Sequence, residues 1–130
     1  MNGTMNRRLP LGTVLILGLL SLPVSVARAE PSASVQLEVS FLLGYIEESS
    51  CEYYRNGTWH DSKAAQAHLR DKYRYLVARN LINSTEDFIE RAATQSSFSG
   101  QAYVVRCKDH AAVATGPWLH DELVRFRTFQ

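Results

Sequence analysis

The chain has 130 residues, 21% of them charged, and a formal net charge of +1. Charge this evenly balanced provides no global field to draw in nucleic acid or to hold the chain on an anionic membrane, so neither partner is expected. Hydrophobic residues make up 45% of the chain, which suits one modest core.

At the N-terminus, Arg7 and Arg8 precede an apolar run over residues 11–26 that ends in Ala27-Arg28-Ala29. A positive start, a short apolar core and small residues three and one positions before a scissile bond are what a signal peptidase requires, because its pocket admits only small side chains there. Residues 1–29 are therefore expected to be a signal peptide cleaved after Ala29. A retained anchor fits less well. The run is shorter than the ~20 residues a spanning helix needs, and it carries Ser21, Pro23 and Ser25. No membrane anchor is expected after cleavage.

Residues 30–130 remain, enough for one domain on the usual scale of ~100–200 residues. The Pro/Ser/Ala-rich stretch 30–34 is expected to be disordered, leaving 35–130 as a single domain. Cys51 and Cys107 both fall in this part. An even cysteine count in an exported chain reads first as a disulfide. Closing so long a loop would remove unfolded-state entropy worth about 4 kcal/mol. Free thiols or a metal pair are the alternative, weakened by the lack of any C-x-x-C or zinc-like Cys/His spacing.

Val35, Val39, Leu42, Leu43 and Ile46 recur at helical spacing, with Glu38, Glu47 and Glu48 placed elsewhere. Next comes a β-type segment, Glu52-Tyr53-Tyr54-Arg55, then Asn56-Gly57, then Thr58-Trp59-His60. Asn-Gly in this setting predicts a hairpin, since both turn positions need positive φ. Asp61 or Ser62 caps a second helix running to about Arg79, with an apolar stripe of Ala65, Leu69, Tyr73 and Leu76. Ser84-Thr85-Glu86-Asp87 opens a third, burying Phe88, Ile89, Ala92 and Ala93. A polar loop containing Ser96-Ser97-Phe98-Ser99-Gly100 leads into a strand over 102–107. A weak apolar piece at 111–114 can pair with that strand. Gly116-Pro117 starts a last helix carrying Trp118, Leu119, Leu123 and Phe126 inward. The expected architecture is α+β: about four helices packed around a small antiparallel sheet, hairpin 52–60 plus strand 102–107, with one disulfide.

Four motifs stand in order along this frame: Tyr54-Arg55-Asn56-Gly57, Ala67-His68-Leu69-Arg70-x-Lys72, Ser84-x-Glu86-x-Phe88-Ile89 and Ser96-Ser97-x-Ser99-Gly100-x-x-Tyr103-x-Val105. In these the chain resembles the YfeK-like family of small exported bacterial proteins, over most of residues 40–127. The resemblance implies a single periplasmic domain behind a signal peptide. It carries no established activity, cofactor or catalytic residue. It also implies that the cysteine pair, found in some members and absent from others, stabilises this version and is not the shared activity.

Three kinds of site chemistry can be drawn from the residues themselves. Acyl transfer would use a serine of the 96–100 loop, His68 as base and Asp61 or Asp87 to orient it, but there is no Gly-x-Ser-x-Gly elbow. A metal site from His60, Asp61 and His68 fits no ligand spacing, so no metal or cofactor is expected. Capture of a polar or anionic ligand would use Arg55, Asn56, His68, Lys72, Ser97 and Ser99. His68 and Lys72 lie four residues apart on one flank of the Leu69/Leu76 stripe, where their heads can border a cleft. The same spacing is met by a Lys72 that snorkels along the core rim and a His68 that packs on the hairpin. Exposed aromatics of the hairpin leave room for an envelope protein as partner instead. The expected function is a non-catalytic binding or interaction module of the cell envelope, with a small Ser/His envelope hydrolase as the alternative.

Overall fold

A computed structural model of the protein describes residues 2–5, 8, 10–24 and 30–130. Arg7 and the expected cleavage segment 27–29 lie outside the described residues. Residues 10–24 form neither helix nor strand, and their apolar side chains are exposed. Among the described residues, no helix is long and apolar enough to cross a membrane.

Helix α1 spans Ala33–Glu48 and buries Val35, Val39, Leu42, Leu43 and Ile46, the stripe its periodicity predicts. Order sets in earlier than expected, within the stretch 30–34. The Ser32 hydroxyl accepts the Val35 N–H, and the Gln36 side chain donates to the Pro31 carbonyl, so the polar residues of this stretch cap the helix.

The hairpin forms as predicted. Strands β1 (Glu52–Arg55) and β2 (Thr58–His60) pair antiparallel, with Arg55 opposite Thr58 across a two-residue turn. Asn56 and Gly57 sit at φ 48° and 87°, the left-handed conformation that closes such a turn without splaying the strands. Helix α2 (Ser62–Val77) follows at once, capped by the Asp61 carboxylate on the Ala64 N–H. Ser84 caps helix α3 (Thr85–Phe88), which continues into a π-helical turn over Ile89–Ala93. Strand β3 (Val104–Arg106) is shorter than expected, because Ala102 instead bridges back to Gln95. Strand β4 (Val113–Ala114) pairs with β3, completing an antiparallel sheet of order β2-β1-β3-β4. Helix α4 (Thr115–Thr128) closes the fold and begins at Thr115, one residue before the predicted Gly116-Pro117 start. The result is the α+β arrangement expected: four helices and a four-stranded antiparallel sheet.

Strand alternation sorts the sheet's side chains. Tyr53 and Val105, paired across β1 and β3, are buried with Leu42, Ile46, Phe88, Leu119 and Leu123 in one core. Arg55 lies two residues beyond Tyr53 on that same helix-facing side, while Tyr54, Trp59 and Arg106 occupy the other, with Arg106 stacked over Trp59. The Cys51–Cys107 disulfide forms, just outside the β1/β3 ladder.

Glu38 departs from the sequence reading. Expected away from the apolar stripe, it is buried within it. Its carboxylate accepts hydrogen bonds from Thr85 Oγ1 at 2.7 Å and from Arg127 Nε and Nη2 at 2.6 and 3.0 Å, and Arg127 also binds Glu86. Pairing is what makes a buried carboxylate tolerable. The Arg127 hydrogen bond holds both carboxyls below the usual range. Helices α1, α3 and α4 are thereby joined by one charged cluster.

Two stability predictions follow from this packing. Replacing both cysteines by alanine is expected to cost about 2–5 kcal/mol of unfolding free energy, measured by urea denaturation at pH 7. Glu38→Gln, which leaves the Thr85 and Arg127 donors facing a neutral amide, should cost about 1–3 kcal/mol in the same assay.

Candidate functional site

A recess of about 30 Å³ opens between the hairpin, α2 and the start of α4, lined by Tyr53, Tyr54, Arg55, His60, Ala64, Ala65, His68, Leu69, Tyr103 and Thr115. That volume holds one small polar group. Each element delivers its residue for a local reason. The Asn56-Gly57 turn fixes Arg55 as the last residue of β1, the helical period puts His68 beside the buried Leu69, and the β3 alternation turns Tyr103 inward with Val105.

A hydrogen-bonded chain crosses this recess. Arg55 Nη1 lies 2.7 Å from His68 Nδ1, and His68 Nε2 lies 3.2 Å from Tyr103 Oη. Arginine has no acceptor, so Nδ1 must accept, and the ring is neutral with its proton on Nε2, which donates to the phenol. Lys72 Nζ donates to the same phenol oxygen at 3.2 Å and to the Gln95 carbonyl at 3.1 Å. With two donors on its oxygen, Tyr103 keeps its own O–H to donate elsewhere.

Burial, then the positive charges of Arg55 and Lys72, push the His68 pKa down to about 4. Burial also lowers Lys72 and raises Tyr103. Among the described residues, neither Arg55 nor Lys72 has a carboxylate within salt-bridge distance. Thr115 stands at the inner wall, 1% exposed, with its Oγ1 buried and unpaired. An unmet hydrogen bond of this kind costs about 1–3 kcal/mol.

The predicted site residues separate into three groups. Arg55 and His68 are in contact and line the recess; Lys72 joins them through Tyr103, outside the lining itself. Both anticipated roles of the α2 flank are thus combined: His68 packs on the hairpin and also faces the opening. Asn56 and Ser99 are bonded to each other, tying the serine loop to the exposed hairpin turn, and neither lines the recess. Ser97 is exposed, and among the described residues its side chain makes no hydrogen bond. The Ser96 hydroxyl accepts the Phe98 and Ser99 N–H groups, a local turn-stabilising role. No loop serine bonds His68, whose nitrogens are engaged by Arg55 and Tyr103, and a ring titrating near pH 4 is a weak base at neutral pH. Asp61 caps α2 and Asp87 binds the Asn83 N–H. His60 lines the recess, and among the described residues no cluster of three His, Cys, Asp or Glu side chains is placed to hold a metal ion.

Tyr103 and Thr115 were not among the predicted site residues. Tyr103 sits in the fourth motif and shares the phase of Val105, but strand register, which decides what it meets, is not encoded locally. Thr115 directly precedes Gly116-Pro117 and so reads as a helix start.

The fold and the recess together define a small disulfide-linked α+β domain with a mainly apolar, aromatic-walled concavity to which Arg55, His60 and His68 contribute. The chain belongs to the family of unknown function DUF5329, whose match covers residues 33–127. It is 33% identical over 86 residues to the uncharacterized protein YfeK of Salmonella typhimurium (strain LT2), covering 65% of this chain and 68% of that protein. The YfeK-like resemblance of the motifs is borne out by both findings. No solved structure matches.

The His68 environment makes a direct prediction. Its ring should titrate by NMR with a midpoint near 4, and Arg55→Gln should raise that midpoint. Because the folded pKa lies below the ordinary 6.5, the unfolded chain takes up this proton first. Stability should therefore fall as pH drops from about 6.5 to about 4, and His68→Gln should flatten that part of the thermal-unfolding profile.

Proposed function

We propose that this protein is an exported, non-catalytic binding module of the bacterial cell envelope that captures a polar, anionic ligand at the Arg55/His68/Tyr103 recess. One observation carries the reading: two cations, Arg55 and Lys72, converge on a neutral histidine–tyrosine pair with no carboxylate to neutralise them among the described residues. Cations held half-buried beside one another repel, and an anion relieves that repulsion. Arg55 has further N–H groups beyond the one given to His68, Tyr103 has its O–H left to donate, and Lys72 adds charge beside the phenol.

Export to the periplasm is supported by the leader-like residues 1–29 and by the disulfide, a bond that persists in oxidising compartments. The packed domain begins only after that leader, at α1.

The test is a chemical-shift titration of the folded domain with sodium acetate, sodium sulfate and inorganic phosphate at low ionic strength. Shifts should centre on Arg55, His68 and Tyr103. Arg55→Gln should weaken binding at least about tenfold and Lys72→Gln by a smaller factor, while Ser97→Ala leaves it unchanged. Ester turnover abolished by both Ser97→Ala and His68→Ala would support the hydrolase instead.

A further inference from the structure

We propose that the recess is a carboxylate pocket whose inner wall is the start of α4, with the Thr115 hydroxyl donating to the carboxylate oxygen that enters deepest. The inference rests on the anion-binding reading above and adds both a ligand class and a specificity-determining residue.

Thr115 is the unusual threonine of this fold. Thr85 donates to Glu38, Thr94 to the Ile89 carbonyl and Thr128 to the Val124 carbonyl, so each satisfies its hydroxyl within the protein. Thr128 shows the ordinary helical solution, a bond to the carbonyl four residues back. At the first position of α4 that solution is missing, because the residue four back precedes the helix. Thr115, one of the residues lining the recess, is left with a hydroxyl that is buried and unpaired. Buried hydroxyls are nearly always hydrogen-bonded. Its backbone N–H, by contrast, is already used, donating to the Tyr103 carbonyl at 2.9 Å. That bond fixes the helix start against the strand carrying the phenol.

The polarity of α4 supports the same ligand. Its N-cap position is Ala114, which has no side-chain oxygen, and Pro117 in the first turn has no N–H. The positive end of a 14-residue helix dipole thus has no side-chain cap at the residue bearing the orphan hydroxyl, while the Thr115 N–H is taken by the Tyr103 carbonyl and Pro117 supplies no donor. Arg55 and Tyr103 line the same recess. An anion bound there would draw on their donors together with the Thr115 hydroxyl.

Size and shape choose among anions. The recess, about 30 Å³ and walled in part by Tyr53, Ala65 and Leu69, has room for a small group only. One carboxylate oxygen would take Arg55 and Tyr103, the other Thr115. A phosphate carries more oxygens and more charge than these donors can satisfy, and its tetrahedron fills more space.

The probes are acetate, N-acetyl-alanine, N-acetyl-alanine amide and inorganic phosphate, titrated by NMR and calorimetry into wild type, Thr115→Val, Thr115→Ser and Arg55→Gln. Acetate and N-acetyl-alanine should bind. The amide and phosphate should bind at least about tenfold more weakly, as expected where buried donors read an oxygen. Tighter binding of N-acetyl-alanine than of acetate would assign the carboxylate to a peptide C-terminus, and equal binding to a small free acid. Thr115→Val, nearly isosteric, should keep the wild-type melting temperature or raise it, yet lose about tenfold or more in acetate affinity, with Thr115→Ser retaining it. Wild-type affinity in Thr115→Val, or equal binding of acid and amide, overturns the inference. Phosphate or sulfate binding without acetate also overturns it while leaving the anion reading intact. If no anion shifts Arg55, His68 or Tyr103, that broader reading fails as well.

Discussion

The pairing of β1 with β3 is the constraint on which the rest of this structure depends. It joins segments about fifty residues apart in sequence, placing Tyr53 opposite Val105 and Glu52 opposite Arg106, and Cys51 and Cys107 close the ladder where it ends. A slip of β1 by one residue would turn Tyr53 out of the core and carry Arg55 to the far face, away from Tyr103. The covalent link lies immediately beside the ladder, where it opposes such a slip. The core and the recess thus share one register.

The protein uses its cations in two ways. Arg127 is compensated: Glu38 and Glu86 grip it, Thr85 completes Glu38, and three helices are held together as a result. Arg55 and Lys72 are placed against groups that accept hydrogen bonds but carry no negative charge, namely a neutral imidazole, a phenol and a backbone carbonyl. The first arrangement is complete within the protein and gives cohesion. The second satisfies hydrogen bonds of its cations without a carboxylate in salt-bridge distance among the described residues, Asp71 acting on His68 only through space.

Local chemistry made most of the fold legible. Asn56-Gly57 specifies a turn that few other dipeptides close, Asp61 and Ser84 announce helices by supplying the oxygen a free N–H requires, and the α1 stripe follows from a 3.6-residue period. Glu38 was misplaced because periodicity sorts residues by their own polarity and knows nothing of an arginine arriving from the last helix. The 30–34 stretch was misjudged because its composition suits a flexible tail and a helix cap equally well. Within the site, Arg55, His68 and Lys72 could be grouped because turn and helix geometry place them within a short span of chain. Tyr103 joins them across a long-range pairing, and Thr115 through the packing of a helix start.

The sequence by itself therefore determined the element types, the hairpin, the caps, the candidate cysteine link and the membership of a family marked by four ordered motifs, since each rests on interactions between residues near one another in the chain or on residue identity alone. Only the tertiary structure decided which strand faces which, that the buried Glu38 is paired with Arg127, and that a neutral His68 stands between Arg55 and Tyr103 in a recess that Thr115, with its unpaired hydroxyl, also lines. These depend on register and on charges brought together from distant segments, and neither has a local signature.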